Sequence, residues 1–280
     1  MNAIDVKNLK VDFDITNNDN VVISKKRVLD DISFSVNEGD FVCILGRNGS
    51  GKSTLAKCLN GLILPTEGDV DVYGMNTKSE DNIIDIRKKV GMAFQNPDNQ
   101  IVASIVEEDV AFGLENIGMS VDEMTHRVDE ALKSLGIYDL KNVVTSKLSG
   151  GQKQKVSIAG ILAMKSKIIV LDEPTSMIDK AGRIDLLNKV KELNKIDNLT
   201  IILISHYVDE INYAKRVLLI DEGKIKLDMK PEEILLEEKI LNDAGIELPY
   251  ISEVATELKK RNKKLKGNEN TVEELCQFLK

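Results

Sequence analysis

Phe41-Val42-Cys43-Ile44-Leu45-Gly46-Arg47-Asn48-Gly49-Ser50-Gly51-Lys52-Ser53-Thr54 is the stretch on which the fold turns. Five consecutive apolar residues read as a strand buried on both faces. The glycines after them let backbone N–H groups curl around an anion without Cβ clashes. From Thr54 to Leu62 the spacing predicts a helix, with Leu55, Leu59 and Leu62 on one face and Gly61 and Pro65 marking its end. The dipole of that helix presents its positive end to the same anion. Strand, glycine loop and helix in this order make a phosphate loop, so Gly46, Arg47, Asn48, Gly49, Ser50, Gly51, Lys52, Ser53 and Thr54 are the expected nucleotide cradle. Lys52 is placed to reach the β- and γ-phosphates, and the Ser53 hydroxyl to hold Mg²⁺.

A second apolar run, Ile168-Ile169-Val170-Leu171, ends in Asp172-Glu173, as a buried parallel strand delivers two carboxylates to a sheet edge. Asp172 is expected to bind Mg²⁺ through water, and Glu173 to polarise the water that attacks the γ-phosphorus. His206 follows the run Thr200-Ile201-Ile202-Leu203-Ile204, where a ring nitrogen can meet the γ-phosphate. His126, in a polar amphipathic segment, reads as solvated. Leu148-Ser149-Gly150-Gly151-Gln152 is a further motif. Its serine and glycines open a helix and so present free N–H groups to an anion.

The phosphate loop, Gln95 after a strand, Leu148-Ser149-Gly150-Gly151-Gln152, Asp172-Glu173, Ser176-Met177-Ile178-Asp179 and His206, in this order, resemble the ATP-binding cassette family. The resemblance implies an α/β P-loop NTPase fold of the cassette ATPase type. That fold has a mostly parallel sheet core, an antiparallel β subdomain, a helical signature subdomain and a C-terminal helical extension. It spans the chain as a cassette domain over 1–246, with a helical insert at about 97–150, and an extension over 247–280. It implies ATP and Mg²⁺ as ligands, with Glu173, His206, Gln95 and Lys52 as the catalytic set and Ser53, Gln95 and Asp172 around the metal. Ser149, Gly150, Gly151 and Gln152 would close over ATP held by the phosphate loop of a second cassette, so a dimer is implied. Phe13 matches the aromatic that stacks on adenine, where the family more often has Tyr; the alternative is a core position of an alternating strand. Asp179 matches the acid that signals between cassettes. Lys155 replaces an Arg usual after the signature, keeping the charge and losing the fork geometry.

Composition sets bounds. The chain has 280 residues, 42% of them hydrophobic, enough to bury a full α/β core. No run approaches the ~20 apolar residues of a membrane-spanning helix, and the start Met1-Asn2-Ala3-Ile4-Asp5 does not read as a secretory signal. Three cysteines, Cys43, Cys58 and Cys276, lack metal-ligand spacing, and the first two read as small core residues. A net charge of −8 without tryptophan argues against broad affinity for nucleic acid. The basic run Lys259 to Lys266 is either a solvated helix face or a patch for anionic lipid or a partner.

Residues 1 to about 41 alternate as antiparallel strands around an Asn17-Asn18-Asp19-Asn20 turn. The runs Phe41–Leu45, Val90–Phe94, Ile168–Leu171 and Ile201–Ile204 are the expected parallel sheet, with Val217–Ile220 adding a strand before the turn Asp221-Glu222-Gly223-Lys224. A helix from about Val121 to Leu135 has Ser120 and Glu123 at capping-box spacing and an apolar stripe of Met124, Val128, Leu132 and Leu135. Val156, Ile158, Ala159, Ile161 and Leu162 surround the signature helix with apolar groups, and Gly160 suggests close packing against a neighbour.

A narrower resemblance comes from Phe94-Gln95-Asn96-Pro97-Asp98-Asn99-Gln100, from Val106 to Asn116, from Thr175-Ser176-Met177-Ile178-Asp179 and from the tail after Leu241. These are similar to the ATPase subunits of energy-coupling factor transporters. The partners it implies are a second cassette ATPase (a copy or a related chain), a transmembrane coupling subunit and a substrate-binding membrane subunit, with no nucleic acid. The expected location is the cytoplasmic face of the cell membrane, as a peripheral subunit powering uptake of vitamins or transition-metal ions. Glu107, Glu108 and Asp109 either favour a helix N-terminus or seat a basic coupling helix. In the tail, Ile251, Val254, Ala255 and Leu258 make one stripe. Thr271 and Glu274 fit a capping box before Val272, Leu275, Phe278 and Leu279; this extension either folds back or helps hold two ATPases together. The alternatives are the ATPase of another importer, a DNA-acting cassette, for which Gln95 to Ser149 leaves no room for a coiled-coil arm, and a translation-associated cassette protein, which would carry two phosphate loops.

Overall fold

The computed structural model describes residues 2–17, 21–247, 251, 254, 257, 258, 275 and 276. The chain opens with two long antiparallel strands, β1 (Asn2–Thr16) and β2 (Val22–Asn37), followed by β3 (Phe41–Leu45) and α1 (Lys52–Leu59). Next come β4 (Glu67–Val72), β5 (Met75–Asn76), α2 (Ile83–Lys89), β6 (Val90–Ala93), α3 (Val106–Asn116), α4 (Val121–Ser134) and α5 (Gly150–Ala163). The chain continues through β7 (Ile168–Asp172), α6 (Lys180–Asp197), β8 (Thr200–Ser205), β9 (Arg216–Asp221), β10 (Lys224–Met229), α7 (Pro231–Ile234) and α8 (Glu238–Asp243).

One sheet has the order β10-β9-β3-β8-β7-β6, parallel from β9 to β6 with β10 antiparallel at its edge. The other, β2-β1-β4-β5, is antiparallel throughout. The unbroken apolar strands of the first sheet follow from burial on both faces. Because successive side chains alternate, Cys43, Leu45, Ile169, Leu171, Ile201 and Leu203 face a core shared with α3, α4, α5 and α6. Val42, Ile44, Ile168, Val170, Ile202 and Ile204 face the other core, beneath the antiparallel sheet and α1. Each such Val, Leu or Ile side chain, fully buried, contributes about 1.5–3 kcal/mol of transfer free energy. Cys43 and Cys58 are free and buried, and burial pushes both thiols up, that of Cys58 to about 12.

Several expectations are corrected. The first helix ends at Leu59, three residues early, because Gly61 takes φ +66° and Leu62 turns out to solvent. β4, β5 and β10 were not legible as strands, β5 being only two residues long and β4 and β10 short and heavily charged. The Ser120–Glu123 capping box does not form: the Ser120 side chain makes no cap hydrogen bond, and Glu123 pairs with Arg127 one turn on. A Cβ on Gly160 would stand 4.0 Å from the Val110 Cα, ordinary contact rather than close packing. The tight position is Gly91, where a Cβ would stand 2.1 Å from the Ile161 Cγ2. Gly91→Ala is therefore expected to cost about 1–3 kcal/mol by overpacking. Gly160→Ala should add up to about 1 kcal/mol through helix propensity. Thermal unfolding of the two variants checks the contrast, and equal shifts would contradict it.

The turn of the long hairpin is closed by Asn17 N–H to the Val21 carbonyl (3.0 Å) and Val21 N–H to Asn17 Oδ1 (2.9 Å), with residues 18–20 outside the described set. In the tail, Leu275 is buried among Ile251, Val254 and Leu258. Ala255, Thr271, Val272, Glu274, Phe278, Leu279 and the basic run 259–266 lie outside the described residues. Among the described residues, no helix is long and apolar enough to cross a membrane.

Candidate functional site

The site forms at the C-terminal ends of β3, β7 and β8, where parallel strands present loops to a ligand. Gly46 is required by close approach, since a Cβ there would stand 2.3 Å from the Ile220 carbonyl oxygen. Gly51 is required by conformation: it is the N-cap of α1 at φ 106° and has no side chain to cap the helix. The first N–H groups of α1 are thus left to an anion. The buried Lys52 ammonium donates to the carbonyls of Gly46 (2.7 Å) and Arg47 (2.9 Å) and stands 3.5 Å from Glu173 Oε1. Burial lowers its pKa, against the opposing pull of Glu173 and Asp172.

The strand β7 is buried along its whole length and delivers Asp172 and Glu173, both buried, to the same edge. Ser53 Oγ donates to Asp172 Oδ1 at 3.0 Å. Burial pushes the Asp172 carboxyl up, and the Ser53 hydrogen bond works against this. Glu173 adopts φ 48°, an uncommon backbone for a non-glycine residue that costs about 1–3 kcal/mol. Its N–H donates to the Ile204 carbonyl at 3.0 Å, which anchors this turn to β8. Gln95 Nε2 donates to Glu173 Oε2 at 2.9 Å, and His206 Nδ1 lies 3.4 Å from the same oxygen. Lys52, Gln95 and His206, far apart in the chain, thus converge on one carboxylate.

A cavity of about 310 Å³ opens beside this carboxylate, lined by Asn48, Gly49, Gly51, Lys52, Ser53, Thr54, Gln95, Glu173 and Val28. Val28 escaped sequence reasoning; it is one more alternating residue of β2 with no chemistry of its own. Three cradle residues lie outside this lining, Ser50 being buried beside Gly46. Arg47 Nε pairs with Asp221 at 3.1 Å, and Gly46 packs on β9. Phe13 lies outside the cavity lining, half-exposed on the hairpin opposite Lys26. That exposure removes the core alternative.

The donors near the phosphate loop are hard oxygens, the Ser53 hydroxyl and the Asp172 carboxylate, which suit Mg²⁺. Among the described residues, no three His, Cys, Asp or Glu side chains converge as a metal cage. The donor set therefore fits an ion completed by phosphate oxygens and water rather than a dedicated protein site.

The signature residues line a different hollow of about 280 Å³, together with Lys155, Met177, Ile178, Asp179 and Gly182. Ser149 caps α5 in a reciprocal capping box: its Oγ accepts from Gln152 N (3.3 Å), and its own N–H donates to Gln152 Oε1 (2.9 Å). The Gln152 side-chain carbonyl, expected at a nucleotide, is engaged in this cap. A Cβ on Gly150 would stand 3.2 Å from the Met177 carbonyl, and one on Gly151 3.3 Å from Ile178 Cγ2, so the signature packs against the Ser176–Asp179 turn. Asp179 caps α6 through Gly182 N–H (3.1 Å), and Lys155 pairs with Asp185 at 2.6 Å. The two hollows share no residue.

The sequence profile described as "ABC transporter" matches residues 29–176. The energy-coupling factor transporter ATP-binding protein EcfA1 of Caldanaerobacter subterraneus subsp. tengcongensis is 48% identical over 90% of this chain and 91% of its own. The protein of the same name from Clostridium novyi is 44% identical over 99% of this chain and 98% of its own. Among solved structures, cbiO1 of Clostridium perfringens, part of the ABC transporter complex cbiONQ, aligns with a TM-score of 0.75 at 34% identity, covering 90% of this chain and 98% of that one. A dimeric ATP-binding cassette in a post-hydrolysis state, bound to ADP and phosphate, aligns with a TM-score of 0.73 at 29% identity, covering 81% and 98%.

Proposed function

Because this chain belongs to the ATP-binding cassette family, among the ATP-binding proteins of energy-coupling factor transporters, we propose that its ATP is hydrolysed at Glu173 in a site completed by a second cassette. The chain is the ATPase subunit of an energy-coupling factor importer, working with a second ATPase, a transmembrane coupling subunit and a substrate-binding membrane subunit. It is a peripheral, membrane-associated subunit, and its place in our reading is the cytoplasmic face. The cassette domain is taken as 1–246, a reading supported by Ile246 being the last of the described residues in the larger core, and the extension as 247–280.

The observation that carries the reading is the convergence of Lys52, Gln95 and His206 on the Glu173 carboxylate. Glu173 takes a proton from water as the water oxygen bonds to the γ-phosphorus and the bond to the ADP oxygen breaks. Lys52 and the α1 N–H groups hold the phosphates, and His206 contacts the γ-phosphate. Gln95 orients the carboxylate and the attacking water. Ser53, Asp172 and Gln95 would hold Mg²⁺, which supplies charge neutralisation on the phosphate oxygens when bound. The adenine stacks on Phe13. Ser149, Gly150 and Gly151, held by the Ser149–Gln152 cap, close over the nucleotide of the partner cassette, and the closing pair moves the membrane subunits. ATP turnover of the purified assembly tests the central assignment through Glu173→Gln.

The acidic turn at the start of α3 divides its labour. Asp109 accepts from the N–H groups of Val102 (2.7 Å) and Ala103 (3.0 Å), and Glu107 lies 3.4 Å from Lys141. Asp109 thus fastens the loop between Gln95 and α3, which is a structural use. Glu107 and Glu108 remain the candidate seat for a basic coupling helix. The double reversal Glu107→Lys and Glu108→Lys is expected to abolish co-purification with the membrane subunit while ATP binding stays within about twofold, as charge juxtaposition predicts. Unchanged complex formation would remove the seat.

A further inference from the structure

A ring of contacts joins the first turn of α6 to His206. Arg183 lies one turn into α6, its N–H donating to the carbonyl of the cap residue Asp179 at 2.9 Å. Its largely buried guanidinium stands 3.8 Å over the Tyr207 ring. One of its nitrogens donates to both carboxylate oxygens of Asp209 (3.1 and 3.2 Å), and its Nε lies 3.4 Å from Glu210 Oε1. The same Glu210 oxygen accepts from Thr175 Oγ1 at 2.6 Å, two residues beyond Glu173. The Tyr207 ring centroid is in turn 3.9 Å from that of His206, tilted by 40°. His206 faces Glu173, which closes the ring.

From this geometry we infer that Arg183 is a positioning residue for the hydrolytic step, setting the His206 ring through its stack on Tyr207. The inference rests on the reading of His206 and Glu173 given above. A planar cation on an aromatic face, pinned at its edge by two carboxylates, has few ways to move. Tyr207 therefore contacts both Arg183 and His206 in the turn after β8, so displacing its ring is expected to displace the adjacent imidazole. Neither Arg183 nor Tyr207 lines the nucleotide cavity, and the group they reach, His206, faces the reacting carboxylate of Glu173, so the effect is assigned to turnover rather than to ATP affinity. Because Arg183 is tied to the Asp179 cap, the position of the α6 start and that of His206 are set together.

The test is steady-state ATP turnover of the ATPase pair purified with its membrane subunits. Arg183→Ala is expected to lower kcat about tenfold, in keeping with misplacement of a reacting group, with KM for ATP within about twofold. Tyr207→Leu should give the same loss, and Tyr207→Phe, which keeps the ring face, should recover most of it. In a His206→Ala background, Arg183→Ala should add no further loss, as expected for residues acting through one group. Should Arg183→Ala fold poorly, Arg183→Lys keeps a cation beside Asp209 and Glu210 without the planar stack and should show the same reduced kcat. Wild-type kcat in Arg183→Ala or Arg183→Lys, or losses that multiply with His206→Ala, overturns the inference while leaving the ATPase reading intact. Full kcat in His206→Ala alone overturns the reading of His206, and the inference with it.

Discussion

Glu173→Gln is expected to cut ATP turnover by about 10²-fold or more, the loss that follows removal of a general base, while leaving ATP bound. Gln matches Glu in size and can keep a hydrogen bond to Gln95, so the turn at φ 48° and the anchor to Ile204 are preserved. What disappears is a proton acceptor and one negative charge. Lys52, 3.5 Å away, loses an anionic neighbour and is freer to hold phosphate, so ATP affinity should be kept or rise. A pair that closes on ATP and cannot hydrolyse it should remain closed. The measurements are phosphate release from the purified assembly and size-exclusion chromatography with ATP and Mg²⁺. Near-normal phosphate release would sink the assignment of Glu173.

Gly151→Asp should be nearly as damaging by a different route. Gly151 does not line the cavity beside Lys52, so the variant chain should bind ATP within about threefold of wild type, as expected for a change outside the binding groups. Its carboxylate would stand at the start of α5, where the proposed composite site turns the helix N–H groups to the partner's phosphates, and like charges would repel there. Turnover is expected to fall about 10²-fold, roughly the loss from removing a group that stabilises transition-state charge. Gly151→Ala is the control. Its methyl would stand 3.3 Å from Ile178 Cγ2, a contact relieved by a few tenths of an ångström, so its loss should be far smaller. Binding and turnover falling together in Gly151→Asp would place the signature at the chain's own nucleotide and contradict the composite site.

The difference between these two variants reflects the separation of the two hollows, and that separation also marks the limit of what could be read from the sequence. The phosphate loop was legible because its function is local: strand, glycines, lysine and helix follow one another, and each has a steric or electrostatic reason. The parallel strands were legible because burial on both faces leaves an unbroken apolar run. β4, with Val70 and Val72 facing the core between acidic residues, gave no such run. The Ser120 cap was misread because Glu123 had a second partner, Arg127, at equal reach along the helix. Gly160 was credited with a packing role that belongs to Gly91, since close approach depends on what lies opposite and not on the glycine itself.

Residue order alone determined the fold class and the parallel strands of the central sheet, and it marked the candidate phosphate-binding, acidic and signature residues, because each depends on neighbours in the chain. Only the tertiary structure decided that Lys52, Gln95 and His206 meet on one carboxylate, that Arg47 turns to Asp221, and that Arg183 lies over Tyr207. Those pairings join segments that are distant in sequence, and their geometry is set by sheet order and helix packing, which no local pattern records.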